Sequence, residues 1–323
     1  MIRNNALTKT GLLMAALTVM MTACEYKGLD ELTATPKMAT VRLSFDWSLV
    51  DSIPTEMRVI FYPMGDKTGT RGYTTFDVLN RDTVIDIPAG FYDLTAWNRD
   101  IEHVITTGYS SQNSVNATTG TYSPHGNYLM PKVLDSLFYG LPVLDYPDYM
   151  VHTHKMGVEI DLEKPEQRIT LIPDSMVVTV EMKLHGIKGL ERCKNVRAAI
   201  SNVAGRRYMS FDNLTEDVVA VMFDAEGHAE DSLVTAKFWI FGIEPTSSDR
   251  MTHDLIVFFW LDAGQIYIPL NITKTMSAYR KDDKYVLIES PDLGINLNDY
   301  VINSGAFDVD VDDWENINIP VEF

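Results

Sequence analysis

The chain has 323 residues, with 27 lysines and arginines against 45 aspartates and glutamates, a formal charge of −18 at neutral pH. Such an acidic surface excludes nucleic acid as a partner, because polyanion binding rests on basic side chains. Two cysteines are too few for a disulfide-dense scaffold, so stability has to come from ordinary cores, and the length is enough for two of them.

The amino terminus carries Arg3 and Lys9, followed by an uncharged stretch over 10–23. That stretch is shorter than the ~20 apolar residues a membrane helix needs and reads as the n- and h-regions of an export signal. Met21-Thr22-Ala23-Cys24 then sets small residues before a cysteine, in the manner of a lipoprotein cleavage motif, although Met21 stands where Leu, Val or Ile is usual. The expectation is a signal peptide over 1–23 and a lipid on Cys24. Each buried methylene contributes about 0.8 kcal/mol, so two or more acyl chains make release from the membrane negligible. Cleavage would leave 25 cations against 45 acids, a charge of −20, and Cys193 without an intramolecular partner.

Residues 24–40 show no apolar period and are expected to form a tether. From there Val41, Leu43, Phe45 and Trp47 alternate with Arg42, Ser44 and Asp46, which predicts a strand with one apolar face. Further strands are predicted over 57–62, 83–87, 92–97 and 158–162, each stopped by turn residues. The intervening 101–155, dense in Gly, Pro, Tyr, Asn and Ser, is expected to be loop-rich surface where binding would reside. A second β series follows over 169–172, 178–184, 196–201, 236–242, 254–262 and 266–273, with a hairpin turn at Asp262-Ala263-Gly264-Gln265. Residues 215–223 are the best short helix candidate, and two alternating runs, 307–312 and 317–323, close the chain. The fold class expected is mainly β. Both halves open with a strongly alternating strand, which suggests two similar β-sandwich domains over 41–165 and 166–323, divided between Leu162 and Asp174.

Candidate chemistry is sparse. Asp308, Asp310 and Asp312 begin like a calcium loop, but Asp313 replaces its invariant glycine and Ile319 its bidentate glutamate, so a solvated strand face is expected. His152 and His154, with His125, Asp145 and Asp148 nearby in sequence, have no His-Glu-x-x-His helix or thiolate pair to complete a metal site. The sequence carries no nucleophile elbow, no convincing Cys–His pairing around Cys193 and no phosphate-binding glycine loop. Neither a cofactor nor catalysis is therefore expected.

Taken together, the Cys24 motif, the opening strand, the Ile87-Pro88-Ala89-Gly90-Phe91-Tyr92-Asp93-Leu94 turn leading to Trp97-Asn98, and the closing Gly305-Ala306-Phe307-Asp308-Val309-Asp310-Val311-Asp312-Asp313-Trp314 segment resemble fimbrillin-like lipoproteins of anaerobic Gram-negative bacteria. The resemblance implies two tandem transthyretin-like (Greek-key) β-sandwich domains. It also implies a non-enzymatic fimbria-associated or cell-adhesion lipoprotein, a scaffold or anchor held to outer-membrane lipid through Cys24 and joined to other fimbrial subunits by strand addition. Five Asp-Ser/Thr-apolar triplets, centred on Ser52, Thr83, Ser136, Ser175 and Ser232, resemble O-glycosylation acceptors of such bacteria. The alternative function is glycan binding by Tyr122, Tyr128, Tyr146 and Tyr149, whose rings would stack on sugar faces; the competing role for the same rings is to plug the open ends of the sandwich.

Overall fold

The computed structural model describes residues 37–65, 72–122, 134, 136–210, 213–215, 217–243, 252–261, 264–279, 283–299 and 315–316. The first half contains β1 (Met38–Phe45), β2 (Glu56–Pro63), β3 (Thr74–Leu79), β4 (Thr83–Pro88), β5 (Gly90–Asn98), β6 (Val104–Thr107), β7 (Asn116–Thr119), β8 (Val143–Asp145), β9 (Val151–Ile160), β10 (Gln167–Leu171) and β11 (Asp174–Ser175). The second contains β12 (Val178–Lys188), β13 (Cys193–Ala204), β14 (Arg206–Tyr208), β15 (Val218–His228), β16 (Leu233–Ile240), β17 (Asp254–Leu261), β18 (Gly264–Asn271), the short helix α1 (Thr273–Ser277), β19 (Tyr285–Asn296) and β20 (Glu315–Asn316). The chain is mainly β, as its period-two patterning predicts.

The predicted alternation of β1 buries Val41 and Leu43 completely. The strand stops at Phe45 because the Asp46 carboxylate accepts the Ser48 N–H at 3.1 Å, an Asx-type turn that swings the chain out of the sheet. Trp47 folds back to stack on Phe45 at 5.1 Å between ring centroids. β1 lies between β4, antiparallel, and β10, parallel. Facing this sheet is a second one in the order β9-β5-β2-β3, with β11 added on β9. Ile85, Ile87, Ile169 and Leu171 from the first sheet meet Met57, Val59, Phe61, Leu94 and Val158 from the second to form one core.

The second half repeats this wiring. β12 lies between β16, antiparallel, and β19, parallel, while β15-β13-β17-β18 follow one another as β3-β2-β5-β9 do. Residues 218–225 of β15 pair with β13, and Glu226–His228 pair with β16, so this strand turns the corner between the two layers. Between the layers, Val180, Met182, Ile200, Val221, Val257 and Ile288 form the larger core, with Phe223 and Phe238 stacked at 3.6 Å.

Three sequence expectations change. The proposed helix over 215–223 is strand β15: its Val218-Val219-Ala220-Val221-Met222-Phe223 run is apolar on both faces because Val219, Val221 and Phe223 enter the larger core while Ala220 and Met222 enter another. A short continuous apolar run has no period with which to tell helix from doubly covered strand. The supposed loop-rich stretch 101–155 holds β6, β7, β8 and the start of β9, and β9 begins at Val151, seven residues before the predicted strand at 158. Finally, β10, read as the opening of the second domain, pairs with β1 and contributes Ile169 and Leu171 to the first core. The closing runs 307–312 and 317–323 lie outside the described residues.

Candidate functional site

The segment between β5 and β9 leaves the first sandwich and docks on the second. β7 pairs with β14 and β6 to make a small sheet shared by both halves, and β8 adds to β15 in parallel. Leu134 and Phe138 cover the outer face of β15-β13-β17, burying Ala199, Met222, Ile256, Phe258 and Trp260. This cover explains why β17 is apolar at nearly every position: both of its faces are inside.

A third apolar cluster seals the junction, with Ile60 and Trp97 from the first half, Val115 and Ala117 from the docking segment, and Ala204, Met209 and Phe241 from the second. Arg207 is 5% exposed within this region and donates from Nη1 to the carbonyls of Met176 at 2.6 Å and Phe241 at 3.1 Å. Its guanidinium thus ties the linker between the halves to the second sandwich. On the outer side, Asp148 accepts the backbone N–H groups of Glu102 (2.7 Å) and His103 (2.6 Å) and bonds the His103 ring at 2.8 Å. The Asp148 bond raises the His103 pKa.

The junction also receives the aromatic residues singled out from sequence. Tyr122 accepts a hydrogen bond from Arg197 Nη1 at 2.6 Å, with the guanidinium 5.8 Å from its ring centroid, and Arg197 Nε pairs with Asp224 at 2.8 Å. Tyr146 packs against the larger core beside His103, 5.9 Å between ring centroids. It borders a cleft of about 430 Å³ where β15 parts from β16, lined also by Lys183, Phe223, Asp224, Glu226 and Lys237. Tyr149 lies against Trp239 at 6.1 Å, and its hydroxyl accepts the Asp51 N–H at 3.2 Å. All three rings are half-buried, and burial holds their phenols above the ordinary tyrosine value. Tyr122 and Tyr146 therefore share the Arg197–Asp224 neighbourhood, whereas Tyr149 sits at the other side of the junction. Tyr128, Cys24, His125 and the Asp308–Asp312 run are outside the described residues.

The remaining candidates disperse. His152 is buried and bonds the Met209 carbonyl at 3.1 Å, while His154 is exposed two residues on. Among the described residues no group of three His, Cys, Asp or Glu side chains could hold a metal ion. Cys193 is a free, half-buried thiol whose pKa burial pushes up to about 12. Of the glycosylation-like triplets, Ser52 is exposed, whereas Ser175 is buried with its hydroxyl donating to the Val177 carbonyl at 2.7 Å. No described helix is long and apolar enough to cross a membrane. What sequence reading missed is the polar framework: Arg207, Arg197 and the His103–Asp148 pair act across 31 to 75 residues of sequence and carry no local motif.

Among the described residues, strands β3, β4, β10 and β19 end their sheets, each leaving one backbone edge without a partner strand. β19 is protected by Pro291, by Glu289 and Asp292, and by register shifts against β12.

A family model described as a domain of unknown function, DUF5119, matches residues 23–224. No curated protein sequence matches the chain. A solved structure of an inferred adhesin from Bacteroides ovatus superposes with a TM-score of 0.61 at 20% identity, covering 81% of this chain and 93% of that one. The fimbrial anchor protein Mfa2 from Porphyromonas gingivalis gives 0.43 at 13% identity, covering 77% and 88%. An inferred adhesin from Bacteroides thetaiotaomicron gives 0.43 at 10% identity, covering 78% and 90%.

Proposed function

For a chain that belongs to the DUF5119 family, we propose the role of a non-enzymatic fimbria-associated or cell-adhesion lipoprotein, anchored in the outer membrane by lipid on Cys24. The observation that carries this reading is the fold shared with the Bacteroides ovatus adhesin over 93% of that chain. The sequence resemblance to fimbrillin-like lipoproteins points the same way from independent residues. Cys24 lies inside the matched span 23–224, thirteen residues before the first described residue.

We further propose that the body is two tandem transthyretin-like sandwiches over 38–171 and 178–299. Supporting this, each half pairs its first strand in parallel with its last (β1 with β10, β12 with β19) and follows the same strand order in the facing layer. The junction stiffens the pair, so that load taken at one end passes to the lipid at the other. Partner subunits attach by adding a strand to a free sheet edge, where main-chain hydrogen bonds give affinity and alternate side chains give specificity. Glycan capture by Tyr122, Tyr128, Tyr146 and Tyr149 is the second reading, supported by the convergence of Tyr122 and Tyr146 on Arg197 and the adjoining cleft.

A Cys24→Ala strain tests the anchor. The expected result is loss of acyl labelling and of outer-membrane fractionation, with fimbriae shed into the medium. Unchanged fractionation with normal fimbriae would refute it.

A further inference from the structure

Strand pairing sorts the connections of the first sandwich between its two ends. At one end lie the starts of β1, β5 and β10 and the finishes of β2, β4 and β9: Met38 pairs with Pro88, Gly90 with Ile160, Pro63 with Tyr92 and Val41 with Gln167. At the other end, about 25 Å away along β1, lie the 46–55 loop, the β3–β4 turn and the 172–177 link to the second sandwich.

Four segments at the first end each put an apolar side chain into solvent. Met38 is 51% exposed, Met64 48%, Phe91 55% and Leu162 43%. They are neighbours: the Met64 N–H donates to the Phe91 carbonyl at 2.7 Å, the Ala89 N–H donates to the Lys37 carbonyl at 3.1 Å, and Leu162 stands two residues beyond the Gly90–Ile160 pair. Phe91 has to face outward, because Tyr92 and Leu94 enter the core and alternation turns their neighbour away. The Tyr92 hydroxyl donates to the Pro88 carbonyl at 2.8 Å and pins the turn in that form.

We infer that this end rests in the headgroup region of the bilayer that anchors the chain, with Met38, Met64, Phe91 and Leu162 reaching the boundary of the acyl chains. The inference rests on the lipid proposed for Cys24. Connectivity chooses the occupant. Lys37 is thirteen residues after Cys24, a distance of at most about 45 Å when fully extended. Lys37 is also bonded to Ala89, two residues from Phe91. A lipid on Cys24 therefore brings this end to the membrane, with the link to the second sandwich on the far side. A tether makes the contact intramolecular, so a few apolar side chains suffice that would not recruit a free chain. With 45 acids against 27 bases, attraction to anionic lipid cannot drive the contact, which is apolar and suits zwitterionic headgroups. The body then stands on its first sandwich and presents the second outward.

The test compares backbone amide exchange in free chain and in chain bound to phosphatidylcholine vesicles, in two preparations. One is the chain extracted from the cells that make it and reconstituted, with acyl labelling of Cys24 checked. The other is the chain from Cys24 onward, carrying Cys193→Ser and coupled through Cys24 to a maleimide lipid. Amides at 62–64, 88–91 and 161–163 should exchange about tenfold more slowly on the vesicle, as for a contact closed about nine-tenths of the time. Those at 46–54 should be unchanged. Met64→Ser/Phe91→Ser/Leu162→Ser should remove the protection, whereas Leu49→Ser/Ile53→Ser, which alters two exposed side chains at the far end, should keep it. Absence of the acyl label refutes the anchor alone, because the coupled chain still reads the docking. The inference is overturned by equal exchange on and off vesicles in the coupled chain, by protection centred on 46–54, or by protection that survives the triple variant. The same protection in concentrated soluble chain also overturns it, since a second copy would then cover this face. If the triple variant melts early, the footprint on the parent decides on the same terms.

Discussion

Replacing Arg207 by methionine keeps the length and apolar stem of a side chain that is 5% exposed and deletes its guanidinium. Two charge-assisted hydrogen bonds, to Met176 O at 2.6 Å and Phe241 O at 3.1 Å, are lost together. Each would contribute about 1.5–3 kcal/mol, but removing the cation also relieves its own desolvation, so a net loss of about 2–4 kcal/mol is expected. For a chain of this size that lowers the melting temperature by about 5–10 °C. Because Met176 belongs to the linker and Phe241 to the second sandwich, the variant should also separate one calorimetric transition into two and speed amide exchange in β7 and β14 before exchange in β12. Calorimetry and hydrogen-exchange mass spectrometry read both effects. An unchanged melting temperature, or loss of stability confined to one sandwich with β7 and β14 still protected, would refute the view that this guanidinium couples the halves.

The His103–Asp148 pair predicts a pH dependence. Its folded-state pKa is raised, so its contribution is complete below the unfolded value of about 6.5 and fades as pH rises through the folded one. With the His103 side chain 47% exposed the effect should stay below about 1 kcal/mol, visible as a smaller drop in melting temperature between mildly acid and mildly alkaline pH in His103→Asn. Cys193, with its thiol near 12, should react with a disulfide reagent in a Cys24→Ser chain only after denaturation, and rapid reaction of the folded chain would contradict its burial. Gly186, at φ +77° where β12 meets β19, has Asp292 and the Leu293 N–H in the space of a Cβ, so Gly186→Ala should lose about 1–3 kcal/mol in denaturant titration.

Much of the framework was legible because burial on one face writes itself as alternation. Val41 and Leu43, or Val178, Val180, Met182 and Leu184, declare their strands and the layer they face. Legibility failed where both faces are covered. β15 reads as a helix only because Ala220 and Met222 meet the docking segment, and that contact joins residues far apart in sequence. β6, β7 and β8 are short, and the partners that order β7 and β8 are β14 and β15, 77 to 92 residues on. A composition rich in Asn, Thr and Gly then signals loop, although the backbone is paired. The tyrosines were visible as a crowd, but nothing local to Tyr122 or Tyr149 announces Arg197 or Trp239.

Affinity capture of the full chain from the cells that make it, with hydrogen exchange on the captured complex, bears most directly on the proposed assembly role. The account predicts a second exported β-rich subunit in fixed ratio, with new backbone protection along a free edge strand such as β3 or β10. Recovery of the chain alone, or of a partner whose contact leaves every strand edge exchanging as before, would contradict it.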